Sequence, residues 1–314
     1  MMYMGERRLK VTALAGGVGA AKFLTGLMQL ISQDDLSVIV NTGDDIELFG
    51  LHISPDVDII SYTLAGIVDE DKGWGIKNDT FHCLDMLKAI GTDTWFNLGD
   101  RDLATHIYRT SRLKQGKTLT QVTTEIAKSL GLKAQILPMS NDKFETRITT
   151  KKGTMHFEEY FVKHRFSDEI LNIDFVGAKT ADPSPGVLDA ILSADLVIVC
   201  PSNPVVSIGT ILAVNGIRDA LQRTDAKVVA VSPIVAGLPL KGPADKMMRF
   251  MSVEVSALGV AKLYSNLVDA FVIDSKDSHH KAGIEALGLR VYVTNTVMQF
   301  LQDKVSLARV VLEC

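Results

Sequence analysis

Six short runs rich in valine, isoleucine and alanine constrain this chain more than any other feature. They are VTALA (11–15), LSVIVN (36–41), DLVIVC (195–200), KVVAVS (227–232), AFVIDS (270–275) and RVYVTN (290–295). A strand that is apolar at consecutive positions has no polar side, so both its faces must be covered, as in a parallel sheet between two layers of helices. Helical patterns over 20–31, 186–193, 256–267 and 297–312 supply those layers. The alternation predicts an α/β fold: a Rossmann-like, doubly wound, mostly parallel sheet with helices on both faces.

The middle of the chain departs from this alternation. Residues 78–90, 102–114 and 119–130 read as helices, and 134–139, 145–150 and 154–162 as strands, with Lys151-Lys152-Gly153 as a hairpin turn. Antiparallel strands inside a parallel fold predict a small inserted α+β lobe. The expected organisation is a Rossmann-like core of residues 1–114 and 181–314, interrupted by an α+β subdomain at 115–180. A length of 314 residues suits such an insertion, because single cores stop growing near roughly 250–300 residues.

The charge balance narrows the partners. The net charge is −4, and no lysine- or arginine-rich run occurs, so no nucleic-acid surface is expected. No run reaches the roughly 18 apolar residues that a membrane span needs. The opening MMYMGERRLK has charges with no apolar core after them, so no secretory leader is expected. Cys83, Cys200 and Cys314 are far apart and form no CxxC pair, which argues against a zinc knot and fits a reducing cytoplasm.

In open α/β sheets, ligands bind beyond the carboxyl ends of the strands. The first run ends in LAGGVGAAK (14–22). Glycines there let the backbone approach phosphate oxygens, the next helix points free N–H groups at them, and Lys22 adds a positive charge. The same glycines also suit a turn needed only for packing. A dinucleotide fingerprint is not met: Lys22 occupies the third glycine position, and the second run closes in Asn41-Thr42-Gly43 with no ribose-binding acid. No Walker loop occurs either.

The second run leads into NTGDDIELFGLHISPDVD (41–58), which holds Asp44, Asp45, Glu47, Asp56 and Asp58. Carboxylates beside a phosphate loop suit Mg²⁺ binding or proton abstraction from a hydroxyl. The alternative is a solvated acidic loop, with Asp58 as the N-cap of the helix that follows. FNLGDRDLATHIYRT (96–110) adds Asp100, Arg101, Asp102 and His106. The planar fork of Arg101 suits a phosphate clamp, and a helix start capped by Asp100 or Asp102 is the competing reading. Ser202 and Asn203 sit between two prolines in CPSNPVVSIGTIL (200–212) and suit a base edge, ribose or phosphate. The next run ends at Ser232, followed by a loop with Lys241 and Gly242.

The ordered set LAGGVGAAKFLTGL, VNTGDDIELFGLHISPDVDIISYTLAG, GWGIKNDTFH, LGDRDLATHIYRT, ILPMSND, MHFEEYFV, PSNPVVSIGTIL, VAVSPIVAG and KGPADKMM resembles the 2-phospho-L-lactate transferases of coenzyme F-420 biosynthesis, the bacterial branch more than the archaeal. The resemblance implies transfer of a phospho-three-carbon-acid group, of phospholactate or phosphoenolpyruvate type, from a guanosine diphosphate-linked donor. The acceptor would be the ribityl hydroxyl of a deazariboflavin (Fo), with GMP released. It implies that Asp44 and Asp45 hold Mg²⁺ or polarise the acceptor hydroxyl, with phosphate on Gly17 and Gly19, the guanosine side on Ser202, Asn203 and Ser232, and the deazaflavin near Asp58 and Asn97. At the position of Asn97, relatives often carry lysine or arginine. It also implies a homodimer. Two other readings stay open: a cofactor-dependent oxidoreductase, and a non-catalytic nucleotide-binding regulator of the same fold.

Overall fold

The computed structural model describes residues 8–314, so most of the opening segment considered for a leader lies outside the described residues. The six apolar runs all form strands. With one more, they are β1 (Val11–Ala15), β2 (Leu36–Val40), β3 (Gln135–Pro138), β4 (Leu196–Val199), β5 (Lys227–Val231), β6 (Ala270–Asp274) and β7 (Arg290–Thr294). They make one seven-stranded sheet in the spatial order β3-β2-β1-β4-β5-β6-β7. Every neighbouring pair is parallel. This is the doubly wound order, and its direction reverses between β1 and β4.

Alternate residues of each strand feed two cores. On one face, Val11, Ala13 and Ala15 join Leu196, Ile198, Val229, Val231, Ala270 and Val272. On the other, Leu14 joins Val197, Val199, Val228, Ala230, Phe271 and Ile273. The first face is covered by α1 (Gly17–Leu27), α2 (Pro55–Leu64) and the C-terminal helix Leu301–Glu313. The other is covered by helices including Val187–Leu192, Ile208–Ala213 and Ala257–Tyr264. The C-terminal helix crosses α1 so closely that a Cβ on Gly26 would collide with the Lys304 backbone, and Leu307, Ala308 and Val311 are buried there.

Three further helices follow in the first half: α3 (His82–Ala89), α4 (Asp100–Lys114) and α5 (Leu119–Ser129). The first begins later than the pattern over 78–90, because the Asp100 carboxylate accepts the His82 and Cys83 N–H groups at 3.0 Å each. The exchange is reciprocal: Asp79 accepts from the N–H groups of Arg101 and Asp102 at the start of α4. Asp100 therefore caps a neighbouring helix rather than its own.

The segment 115–180 is divided. Strand β3, grouped with the insertion by sequence, is the edge of the main sheet, paired in parallel with β2. A separate three-stranded antiparallel sheet is formed by Glu145–Thr150 at its centre, flanked by Gly153–His156 and Asn172–Val176. Lys151 and Lys152 form the predicted hairpin turn. The strand expected over 154–162 stops at His156, and Glu159–Lys163 is a π-helical turn closed by His164 N–H on the Glu159 carbonyl at 3.0 Å. A small hairpin, Ile46–Leu48 with Leu51–Ile53, stands inside the acidic loop. Its two turn residues, Phe49 and Gly50, both have positive φ, as a tight two-residue hairpin requires. Among the described residues, no helix is long and apolar enough to cross a membrane.

Candidate active site

The polar loops gather beyond β1, β2 and β4, where the sheet order reverses. Asn41, at the end of β2, organises them. Its side-chain nitrogen donates to Asp44 Oδ2 and Asp56 Oδ2, both at 2.9 Å. Its oxygen accepts the Thr210 hydroxyl at 2.7 Å and the Gly43 N–H at 2.8 Å. One buried amide thus holds two carboxylates side by side. Asp56 also accepts the Gly17 N–H at 2.7 Å through Oδ1, so the first turn of α1 receives its negative charge from within the chain.

Four carboxylates share this region: Asp44, Asp45, Asp56 and Glu158. Burial is the main cause that pushes Asp44 well above the carboxylate range, with Asp56 and Glu158 adding repulsion. Burial likewise pushes Asp56 up to about 6, against the hydrogen bonds from Asn41 and Gly17. Glu158, brought in from the segment before the π-helical turn, is pushed up to about 8 by burial and by the charges of Asp56 and Asp45. Asp45 accepts the Ser54 hydroxyl at 2.8 Å and pairs with His52 Nε2 at 3.0 Å, both on Oδ2. The other oxygens, Asp44 Oδ1 and Asp45 Oδ1, are buried with no hydrogen-bond partner among the described residues. Two oxygens of buried acids left open beside like charges form the hard donor set that suits a divalent cation such as Mg²⁺, which takes one or two carboxylates and leaves positions for substrate oxygens.

A second buried cluster lies beside the first. Arg109 grips Asp58 with both terminal nitrogens, Nη1 to Oδ2 at 2.9 Å and Nη2 to Oδ1. His106 Nδ1 lies 3.2 Å from Arg109 Nη1, and its Nε2 lies 3.3 Å from Asp102 Oδ1. The Tyr62 hydroxyl donates to the same Asp102 oxygen at 2.7 Å. Burial pushes Asp58 up, while Arg109 and His106 pull it back. Burial acts to raise Asp102 as well, but His106, Tyr62 and Arg109 overcome it and hold the carboxyl below its ordinary range. Asp58, Asp102 and His106 lie close enough together to suggest a metal trio. The fork of Arg109 occupies both Asp58 oxygens and the Tyr62 hydroxyl occupies Asp102 Oδ1, which makes the cluster a salt-bridge relay.

These contacts reassign several residues singled out by sequence. Asp58 does not cap α2: the helix starts at Pro55 after Ser54, and Asp58 lies one turn inside, facing Arg109. Arg101 stands exposed at the start of α4 with Nη1 3.5 Å from the Lys77 carbonyl; the arginine buried among the carboxylates is Arg109. Gly19 packs against β4's loop, where a Cβ would collide with the Pro201 carbonyl. Gly17 has φ +70°, and its N–H is engaged by Asp56. Ser202 accepts the Gly16 N–H at 3.3 Å. Asn203 folds its own loop, accepting from Val205 and Val206 N–H. Ser232 bonds within its own turn, to Ile234. Lys22 and Asn97 are exposed. Arg109 and Glu158 are the residues that sequence reasoning missed. Arg109 carried a usable signal, since Asp102, His106 and Arg109 are spaced four and three apart and so share one helix face. Glu158 carried none, because only tertiary folding brings it to the acidic loop.

The family model described as 2-phospho-L-lactate transferase CofD matches residues 11–297, which include every residue of both clusters. The chain belongs to the 2-phospho-L-lactate transferase family. Membership makes it an enzyme that transfers a phosphate-bearing three-carbon acid in coenzyme F-420 biosynthesis. A phosphoenolpyruvate transferase of Kitasatospora aureofaciens is 44% identical, over 97% of this chain and 97% of that protein. A 2-phospho-L-lactate transferase of Methanosarcina mazei is 38% identical, over 95% of this chain and 98% of its own. In fold, the chain is similar to a UPF0052 family protein from Bacillus halodurans, with TM-score 0.64 and 17% identity, covering 98% and 100% of the two chains. That likeness is one of fold, consistent with the doubly wound strand order seen here.

Proposed function

We propose that the protein joins deazariboflavin (Fo) to a phosphorylated three-carbon acid, phospholactate or phosphoenolpyruvate in type, taken from a guanosine diphosphate-linked donor. In this reading the ribityl hydroxyl oxygen attacks the phosphorus that bears the acid. A new P–O bond forms, the bond to the GMP phosphate breaks, and GMP leaves with the electron pair. The product is a phosphodiester, coenzyme F-420 without glutamates. The hydroxyl proton passes to a carboxylate of the acidic loop. Asp44 suits that role, since its burial raises its affinity for a proton.

The observation that carries the proposal is the pair of open buried oxygens, Asp44 Oδ1 and Asp45 Oδ1, at the switch point of the sheet. Asp44 and Asp45 would hold Mg²⁺, which when bound supplies charge neutralisation for the phosphoryl oxygens. Displacement at phosphorus needs positioning and charge compensation more than a covalent nucleophile, and these residues are suited to supply both. Asp58, fixed by Arg109, would orient the acceptor, with Asn97 at the rim. The glycine loop, Lys22, Ser202, Asn203 and Ser232 would flank the donor. A homodimer acting in the cytoplasm belongs to the same proposal.

Turnover by Asp45→Asn and Asp58→Ala tests these roles. We expect at least about 100-fold lower kcat for Asp45→Asn, as for loss of a preorganised charge at a transition state. A raised KM for deazariboflavin is expected of Asp58→Ala. Wild-type kinetics in either variant would remove that residue from the mechanism.

A further inference from the structure

The antiparallel lobe grips the acidic loop on both sides of Asp44. Thr146 N–H, from the central strand Glu145–Thr150, donates to the Gly43 carbonyl at 2.7 Å. His156 Nε2, at the end of the strand Gly153–His156, lies 3.1 Å from the Asp45 carbonyl. The two strands pair with each other, Arg147 opposite His156, so both grips come from one hairpin. That hairpin is anchored, because Ile148, Met155 and Phe157 are buried in the core on one face of the main sheet. The first grip has no slack: a Cβ on Gly43 would stand 3.0 Å from Thr146 Oγ1 and 2.9 Å from Thr210 Cγ2.

The second grip depends on which nitrogen of one ring carries the proton. Glu158 N–H donates to His156 Nδ1 at 3.1 Å. A backbone N–H can only donate, so Nδ1 is the acceptor and the ring proton sits on Nε2, facing the Asp45 carbonyl. The imidazole is thus a neutral bridge with both nitrogens engaged. It ties the main chain of Asp45 to that of Glu158, two acids that are distant in sequence. Like charges crowded in one region push the loop that carries them outward, and hydrogen bonds to its carbonyls resist that push.

We propose that His156 is a positioning residue for the transfer reaction: through the Asp45 carbonyl it holds the Asp44–Asp45 pair in place for a divalent cation, and so makes the antiparallel lobe part of the acidic site. An outer partner of this kind changes metal affinity or turnover by about 10- to 100-fold without touching the metal. The metal part rests on the reading of Asp44 and Asp45 given above, whereas the grip on the loop is tested without metal.

Two variants of the full chain separate the two nitrogens. In His156→Gln the amide nitrogen takes the place of Nε2 and keeps the bond to the Asp45 carbonyl. In His156→Asn the amide oxygen takes the place of Nδ1 and keeps only the bond from Glu158. The Gly43 and Asp45 N–H groups are bonded to Asn41 Oδ1 at 2.8 Å and to the Thr42 carbonyl at 3.3 Å, so their hydrogen exchange in the metal-free protein reports opening of the loop. We expect exchange about five- to tenfold faster in His156→Asn, the size of one lost hydrogen bond. Calorimetric titration with Mg²⁺ should show about 10- to 100-fold weaker binding in the same variant, and kcat should fall by a similar factor with KM for deazariboflavin unchanged. His156→Gln should stay close to the native protein in all three. Native exchange in His156→Asn, equal losses in His156→Asn and His156→Gln, or native Mg²⁺ affinity despite faster exchange would each overturn the proposal. If the native protein binds no Mg²⁺ while exchange and kcat still separate His156→Asn from His156→Gln, the metal reading fails and the positioning role stands.

Discussion

Arg109→Met should destabilise the protein by about 3–5 kcal/mol, the cost of stranding a buried charge by removing its partner. Asp58 is buried, and both its oxygens depend on the guanidinium. In a chain of this size the loss appears as a fall of roughly 10 °C in the thermal midpoint. Arg109→Lys should fall between, since an ammonium cannot make the two parallel bonds. Combining Arg109→Met with Asp58→Asn should recover part of the loss, because most of the penalty is the unpaired carboxylate rather than a lost contact. Scanning calorimetry of the three variants decides this. A loss in Arg109→Met no larger than the about 1 kcal/mol typical of an exposed ion pair would mean that the relay does not hold the site.

Asp44→Asn should move activity and stability in opposite directions. Turnover should fall about 100-fold or more, because an amide neither binds a hard cation well nor accepts the hydroxyl proton. Stability of the metal-free protein should rise near pH 8, because one of four crowded acids loses its charge. The sign follows from proton binding. Glu158 has an ordinary value of 4.5 and is pushed up to about 8 in the folded chain, so between these values the native state holds a proton that the unfolded chain has lost. Asp56 does the same between 3.8 and about 6. Stability of the metal-free protein therefore declines as pH rises through this window and levels above it. Glu158→Gln should flatten the decline by a few kcal/mol, since each tenfold change in proton affinity is worth about 1.4 kcal/mol. Added Mg²⁺ should act in the opposite sense, stabilising the native protein most at high pH. A thermal midpoint that does not change between roughly pH 5 and 8 in the metal-free protein would contradict the crowded-acid account.

The sheet was legible because parallel strands buried on both faces leave a plain sequence mark, and each of the six apolar runs became a strand. The strand at 135–138 was read as a strand yet assigned to the wrong neighbours, because nothing in ILPM distinguishes a parallel edge from an antiparallel lobe. The hairpin at 46–53 was hidden inside the acidic loop: its turn is Phe49-Gly50, and phenylalanine is an unusual residue for positive φ. At the site, the acidic loop and the glycine turn were found from their place at strand ends. Their partnership was not, since the bond from Gly17 N–H to Asp56 joins positions 39 apart. Arg101 attracted notice as the arginine nearest the carboxylates in sequence. The burial of Arg109 follows instead from its helical phase with Asp102 and His106. A charged residue on a buried helix face is the pattern to seek when a cluster of acids needs a counterion.

The most direct measurement is mass detection of products after incubating the native protein with deazariboflavin, Mg²⁺ and each guanylylated three-carbon acid in turn. The account predicts equal amounts of GMP and a deazaflavin phosphodiester with at least one donor, and neither when the metal is chelated. Nucleotide binding with no phosphodiester from any donor would contradict it.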